Sequence, residues 1–100
     1  ESVEILFNTA ALQYELGRLT EARTNAKIVA ESNQAKEVKL NYPKNETEQQ
    51  EIPMSAAAYN LLGILEKDQG NKEQAKAYFD KALEIAPDFQ MAIEGKSGLN

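Results

Sequence analysis

Between Gly70 and Pro87 the chain reads GNKEQAKAYFDKALEIAP, and its inward-facing residues are sorted by size. Ala75, Phe79 and Ala82 follow one another at steps of four and three, which places them on one face of a helix. A face that is small, then aromatic, then small again fits partners that touch it closely at two points and stand off between them. Such a helix belongs in a stack with set separations. Its ends are marked as well. Asn71 with Gln74 three residues on predicts an N-cap with a capping-box partner, and Pro87 predicts the stop.

Three more segments carry helical spacing. One runs from Val3 to Leu16 and stops at Gly17. A second starts near Thr20, with Ala22, Ala26 and Val29 on one face. A third starts near Met54 and stops before Gly70, with Ala58, Leu61, Leu62 and Leu65 in register. No stretch alternates apolar and polar residues for long enough to predict a strand, so the expected class is all-α. Pro43 and Pro53 bracket an acidic stretch that reads as loop between about Asn41 and Ile52. The residues before it, through Leu40, read as a possible extension of the second helix. From Asp88 onward, Phe89, Ala92 and Ile93 predict a short capping helix, or the start of a further one, which Gly95 and Gly98 weaken.

Anchoring Gly17 on Gly70 lays GRLTEA over GNKEQA, and Thr9-Ala10 then falls on Leu62-Gly63. Residues 56–89 resemble a tetratricopeptide repeat, whose signature spaces an aromatic, Leu-Gly, a second aromatic, then Ala, an aromatic, Ala and Pro over 34 residues. Here those places hold Tyr59, Leu62-Gly63, Glu66, Ala75, Phe79, Ala82 and Pro87. Glu66 is the departure from the pattern. Residues 3–36 resemble a more diverged repeat, with Leu6, Thr9-Ala10, Gln13, Gly17, Ala22, Ala26 and Val29 at the matching places. The resemblance implies two antiparallel helix pairs (3–36 and 56–89) separated by an insertion at 37–55 and followed by a capping segment at 90–100. Together they would make one domain over 1–100, wound as an α-α superhelix. In that arrangement Gly63 and Ala75 allow the close crossing within a pair, Tyr59 and Phe79 fill the wider gaps, Ala82 meets the next unit and Gly70 turns the chain. A bulky residue at Ala75 should overpack the crossing, at a cost of about 1–3 kcal/mol.

Composition narrows the chemistry. The net charge of −5 argues against nucleic acid, since phosphate binding wants a basic face. With no cysteine and no histidine, thiolate and imidazole groups are unavailable as nucleophiles, bases or zinc ligands, and cysteine usage does not separate cytosol from periplasm. No apolar run nears the ~20 residues of a membrane helix, so no membrane insertion and no cofactor are expected. Starting at Glu1, the chain reads as a trimmed or mature fragment. Glu66 with Asp68, or Glu46 with Glu48 and Glu51, could be imagined as an acid/base pair or an oxygen-ligand metal site. None has the spacing of a known metal loop, so the expected reading is solvated helix faces and an acidic loop, with no catalytic and no metal residue. Asn45-Glu46-Thr47 matches the glycosylation sequon, a motif short enough to arise by chance.

The family resemblance implies a protein-interaction scaffold whose first helices line a concave groove for a peptide or partner helix. Carried over position by position, the groove would hold Glu4, Phe7, Ala11 and Tyr14 from the first repeat and Ala57, Asn60, Ile64 and Lys67 from the second. Phe7, Tyr14 and Ile64 would make it apolar, unless a neighbouring repeat or protomer covers them. Members that hold a chaperone's EEVD-type tail use Lys and Asn where this chain has Phe7, Ala11 and Leu61, so such tails are not expected partners. Two repeats and a cap leave an apolar end open, which predicts a longer array or self-association. The alternatives are a homo-oligomerisation module and, from another class, an enzyme or metal-binding protein using the acidic 41–52 loop.

Overall fold

A computed structural model describes residues 2–99; Glu1 and Asn100, the ends of the expected domain, lie outside the described residues. The chain forms α1 (Val3–Glu15), α2 (Leu19–Glu31), a 3-10 turn at Gln34–Lys36, β1 (Lys39–Pro43), β2 (Gln49–Pro53), α3 (Met54–Asp68), α4 (Lys72–Ile85) and α5 (Gln90–Ser97). Helices α1 and α2 form one hairpin and α3 and α4 another, stacked through α2 against α3, while α5 lies on α4 and α3.

The two helical hairpins turn in the same way. Gly17 and Gly70 have φ of 80° and 82°, the left-handed conformation that glycine adopts without a Cβ penalty. At the first turn the Gly17 amide donates to the Tyr14 carbonyl and the Arg18 amide to the Gln13 carbonyl. At the second, the Gly70 amide donates to Lys67 and the Asn71 amide to Glu66. Both are Schellman closures, which satisfy carbonyls that the helix end leaves free. The pairing of Gly17 with Gly70 read from the sequence is therefore a pairing of identical backbone devices.

Two buried clusters form the interior. One joins α1, α2 and α3 through residues such as Ala10, Ala26, Val29 and Leu62. The other joins β2, α3, α4 and α5 through Ile52, Ala56, Phe79, Ala82 and Phe89. Phe79 is fully buried, and a Cβ built on either Gly63 or Gly95 would stand 2.7 Å from its ring. The ring is thus held between α3 and α5. Gly95, which the sequence suggested would weaken α5, is the point at which α5 accepts the ring, and the helix runs through it to Ser97.

The expectation of an all-α chain is corrected by the 37–55 segment. There β1 and β2 pair antiparallel in the register Leu40 with Ile52 and Tyr42 with Gln50. Leu40, Tyr42, Gln50 and Ile52 face inward, while their neighbours Lys39, Asn41, Glu51 and Gln49 are exposed. The strands are therefore period-two, but each supplies at most two apolar residues and one inward place is a glutamine. Pro43 and Pro53, expected to bracket a loop, sit at strand ends, where a missing N–H is tolerated. Nor does α2 lengthen toward Leu40. Ser32 turns extended, and its Oγ accepts from the Gln34 amide (3.2 Å). The Gln50 side chain also works as an anchor. Its Nε2 donates to the Asp88 carbonyl (2.8 Å) and its Oε1 accepts from the Gln90 amide (3.0 Å), while Tyr42 packs at 5.2 Å from the Phe89 ring. The hairpin thereby holds the start of α5.

Since the ring of Phe79 is enclosed, it has nowhere to yield. Gly95→Ala and Gly63→Ala should each destabilise the fold by about 1–3 kcal/mol in urea-induced unfolding followed by helical circular dichroism, with no loss on Gly98→Ala beyond a few tenths.

Candidate functional site

The face singled out from sequence lies on α1 and α3. Glu4 is exposed in the first turn of α1 and accepts from the Ser2 hydroxyl (3.0 Å). Phe7, Ala11 and Tyr14 are half-buried, with Phe7 and Tyr14 resting on the first cluster. On α3, Ala57 and Asn60 are buried, Ile64 is half-buried against the second cluster and Lys67 is exposed. The two helices are tied near their C-terminal ends, where the Tyr14 hydroxyl donates to Asp68 Oδ2 (2.8 Å). Asn60 stands out chemically, because its Oδ1 is buried and accepts no hydrogen bond. An unmet buried amide oxygen costs about 1–3 kcal/mol, so it is uncommon without a reason. Ser55 Oγ shares that condition at the start of α3.

Glu66 is not a solvated helix-face residue, as expected from sequence. It is buried, and Oε2 meets Arg23 Nε at 3.0 Å while Oε1 accepts from Asn71 Nδ2 at 2.8 Å. Arg23 Nη2 reaches on to Gln69 Oε1 (2.8 Å). One carboxylate thus joins α2, α3 and the turn before α4. Asn71 consequently makes no side-chain cap for α4, and the predicted capping box with Gln74 does not form. The equivalent place in the first hairpin, Gln13, is also polar and also satisfied, accepting from Asn25 Nδ2 at 2.9 Å. Each of these polar side chains thus has a hydrogen-bond partner on another helix.

The acidic 41–52 stretch folds into the strands and their tip. Asn45 organises that tip: its Oδ1 accepts from the Thr47 and Glu48 amides, both at 2.9 Å, and its Nδ2 donates to Glu48. Among the described residues no group of three or more Asp and Glu is placed to hold a metal ion, and no helix is long and apolar enough to cross a membrane. A cleft that sequence reasoning missed, of about 440 Å³, lies between α2 and α4 and is lined by Glu31, Lys36, Tyr59, Lys81 and Glu84 among others. Tyr59 is therefore only half interior. Its ring stacks on Tyr78 at 6.2 Å and carries Lys81 Nζ at 5.5 Å. Its lining residues are drawn from four elements, so no local sequence pattern announces it.

The family model of the tetratricopeptide repeat matches residues 56–89, the α3–α4 hairpin with its following turn. No curated protein and no solved structure matches the chain. Over residues 56–89 the chain is accordingly similar to the tetratricopeptide repeat.

Two tyrosines give the fold a pH limit. The hydrogen bond to Asp68, then burial, then the Asp68 charge raise the Tyr14 pKa above the ordinary 10.0, and burial raises that of Tyr42. Their contribution is fully present below the unfolded value of about 10 and is lost as pH rises through the folded values, because the unfolded chain ionises first. Tyrosinate absorbance should therefore appear at higher pH in the folded chain than in urea. Asp68→Asn should bring Tyr14 back toward its ordinary value. Separately, Glu66→Ala strands the Arg23 and Asn71 donors and should cost about 1–3 kcal/mol in chemical unfolding.

Proposed function

We propose that this chain, whose residues 56–89 are similar to the tetratricopeptide repeat, is a non-catalytic protein-interaction scaffold that takes a partner segment along the inner face of α1 and α3. In this reading residues 3–36 are a second, diverged repeat, 37–55 an inserted hairpin and 90–100 a cap. The family match supports the general role, since tetratricopeptide repeats mediate contacts between proteins.

The observation that carries the finer reading is Asn60. Its buried, unpartnered Oδ1 sits on the same helix face as Ala57, Ile64 and Lys67. The amide lies beneath that face, so a partner's backbone N–H reaches the oxygen only as the Asn60 side chain swings outward, and the oxygen then gains a bond it lacks within the chain. Phe7 and Ile64, both half-exposed, offer apolar surface on either side for an aliphatic or aromatic anchor. The exposed Lys67 adds a cation at the C-terminal end of α3, where it suits an acidic residue of the partner.

Selection of displayed peptides against the immobilised chain tests this directly. Peptides so obtained should lose affinity about tenfold or more on Asn60→Leu or Ile64→Glu, and they should be indifferent to Lys81→Ala in the α2–α4 cleft. Peptides unaffected by both inner-face changes would place the binding surface elsewhere.

A further inference from the structure

The two ends of the helical stack are unlike each other and match. At the first end, α1 turns Ile5, Leu12 and Leu16 outward at 56, 57 and 63% exposure. They follow the spacing i, i+7, i+11, and Thr9 at i+4 completes the stripe. The charged residues of α1 are Glu4 and Glu15, with no basic residue on the helix. At the last end, α4 and α5 enclose a groove of about 350 Å³ with an apolar floor of Leu83, Ile93 and Leu99. Its charged rim carries Lys76 and Lys96. Lys96 also meets Asp80 at 2.6 Å, while Lys76 has no ionic partner among the described residues.

We propose that a second copy of this chain docks head to tail, laying the outer stripe of its α1 in the α4–α5 groove of the first. The opposite charges decide the occupant. An acidic helix with an apolar stripe is presented at one end, and an apolar groove with lysines on its rim at the other, so each copy supplies what its neighbour lacks. Pairing the same end of two copies would instead set Glu4 and Glu15 against their equivalents, or the uncompensated Lys76 against its own, which is disfavoured. A ridge of residues three and four apart seated between two helices is the ordinary geometry of helix packing. The contact is heterologous, so every added copy leaves one free end of each kind and the assembly does not close at two. It is independent of the inner-face reading, since Phe7, Asn60 and Ile64 take no part in it.

Sedimentation equilibrium of the purified chain reads the outcome. The weight-average mass should rise with concentration past twice the 11.1 kDa of one chain, and it should fall as salt is raised. Leu12→Asp blocks one end and Ile93→Asp the other, and both positions are exposed, so folding should be kept. Each variant alone should stop at the single chain. An equal mixture of the two should form a pair of one each and grow no further, because one intact end of each kind remains. A wild-type chain that stays single into the hundreds of micromolar would overturn the proposal. So would either variant that still self-associates, or a folded mixture that fails to pair.

Discussion

The ring of Phe79 is the contact on which the rest of the second half depends. It belongs to α4, yet its neighbours are backbone positions of α3 and α5, where only hydrogen atoms stand in place of side chains. A phenyl group packed against two glycines brings three helices together at a separation that no larger residue permits. The small residues of α4 then follow. Ala75 and Ala82 are fully buried one turn to either side, because a helix drawn in so closely leaves no room for more. The size pattern along α4 is thus the record of one close approach rather than of several separate preferences.

Helix α5 has only eight residues and would hold poorly on its own contacts. Two things secure it: Phe79 against Gly95, and the hairpin, which caps its first turn through Gln50 and packs the Tyr42 ring, tilted, against Phe89. The inserted residues are therefore a buttress. They connect the α1–α2 hairpin to the α3–α4 hairpin, and they fix the end of the stack that carries the α4–α5 groove.

How much of this was legible in the sequence follows from where the determinants lie. The helices, their glycine turns and the Phe79 signature depend on residues within one repeat, so spacing alone revealed them. The hairpin escaped because its inward places hold Gln50 beside Ile52, and a glutamine gives no period-two signal even when its amide is fully used. The capping role expected of Asn71 failed because Glu66, five residues back, competes for the same side chain and is itself held by Arg23, 43 residues away. Asn60 was picked out by family position. That its oxygen lacks a partner depends on what surrounds it in space, which no spacing records.

A division of labour results between residues that specify the fold and residues free to choose a partner. Signature positions such as Gly63, Ala75, Phe79 and Ala82 are enclosed, so changing them alters stability before it alters recognition. Partner choice is left to side chains that the packing code does not constrain. In the proposed reading these are the half-covered face of α1 and α3 with its unmet acceptor, and the outer stripe of α1 with its acidic flanks. Tyr59 crosses this line, since it packs against both clusters and still lines a cleft under Lys81. A residue with both duties ties the shape of that cleft to the integrity of the repeat, whereas Leu12, 57% exposed, can change without loosening the core.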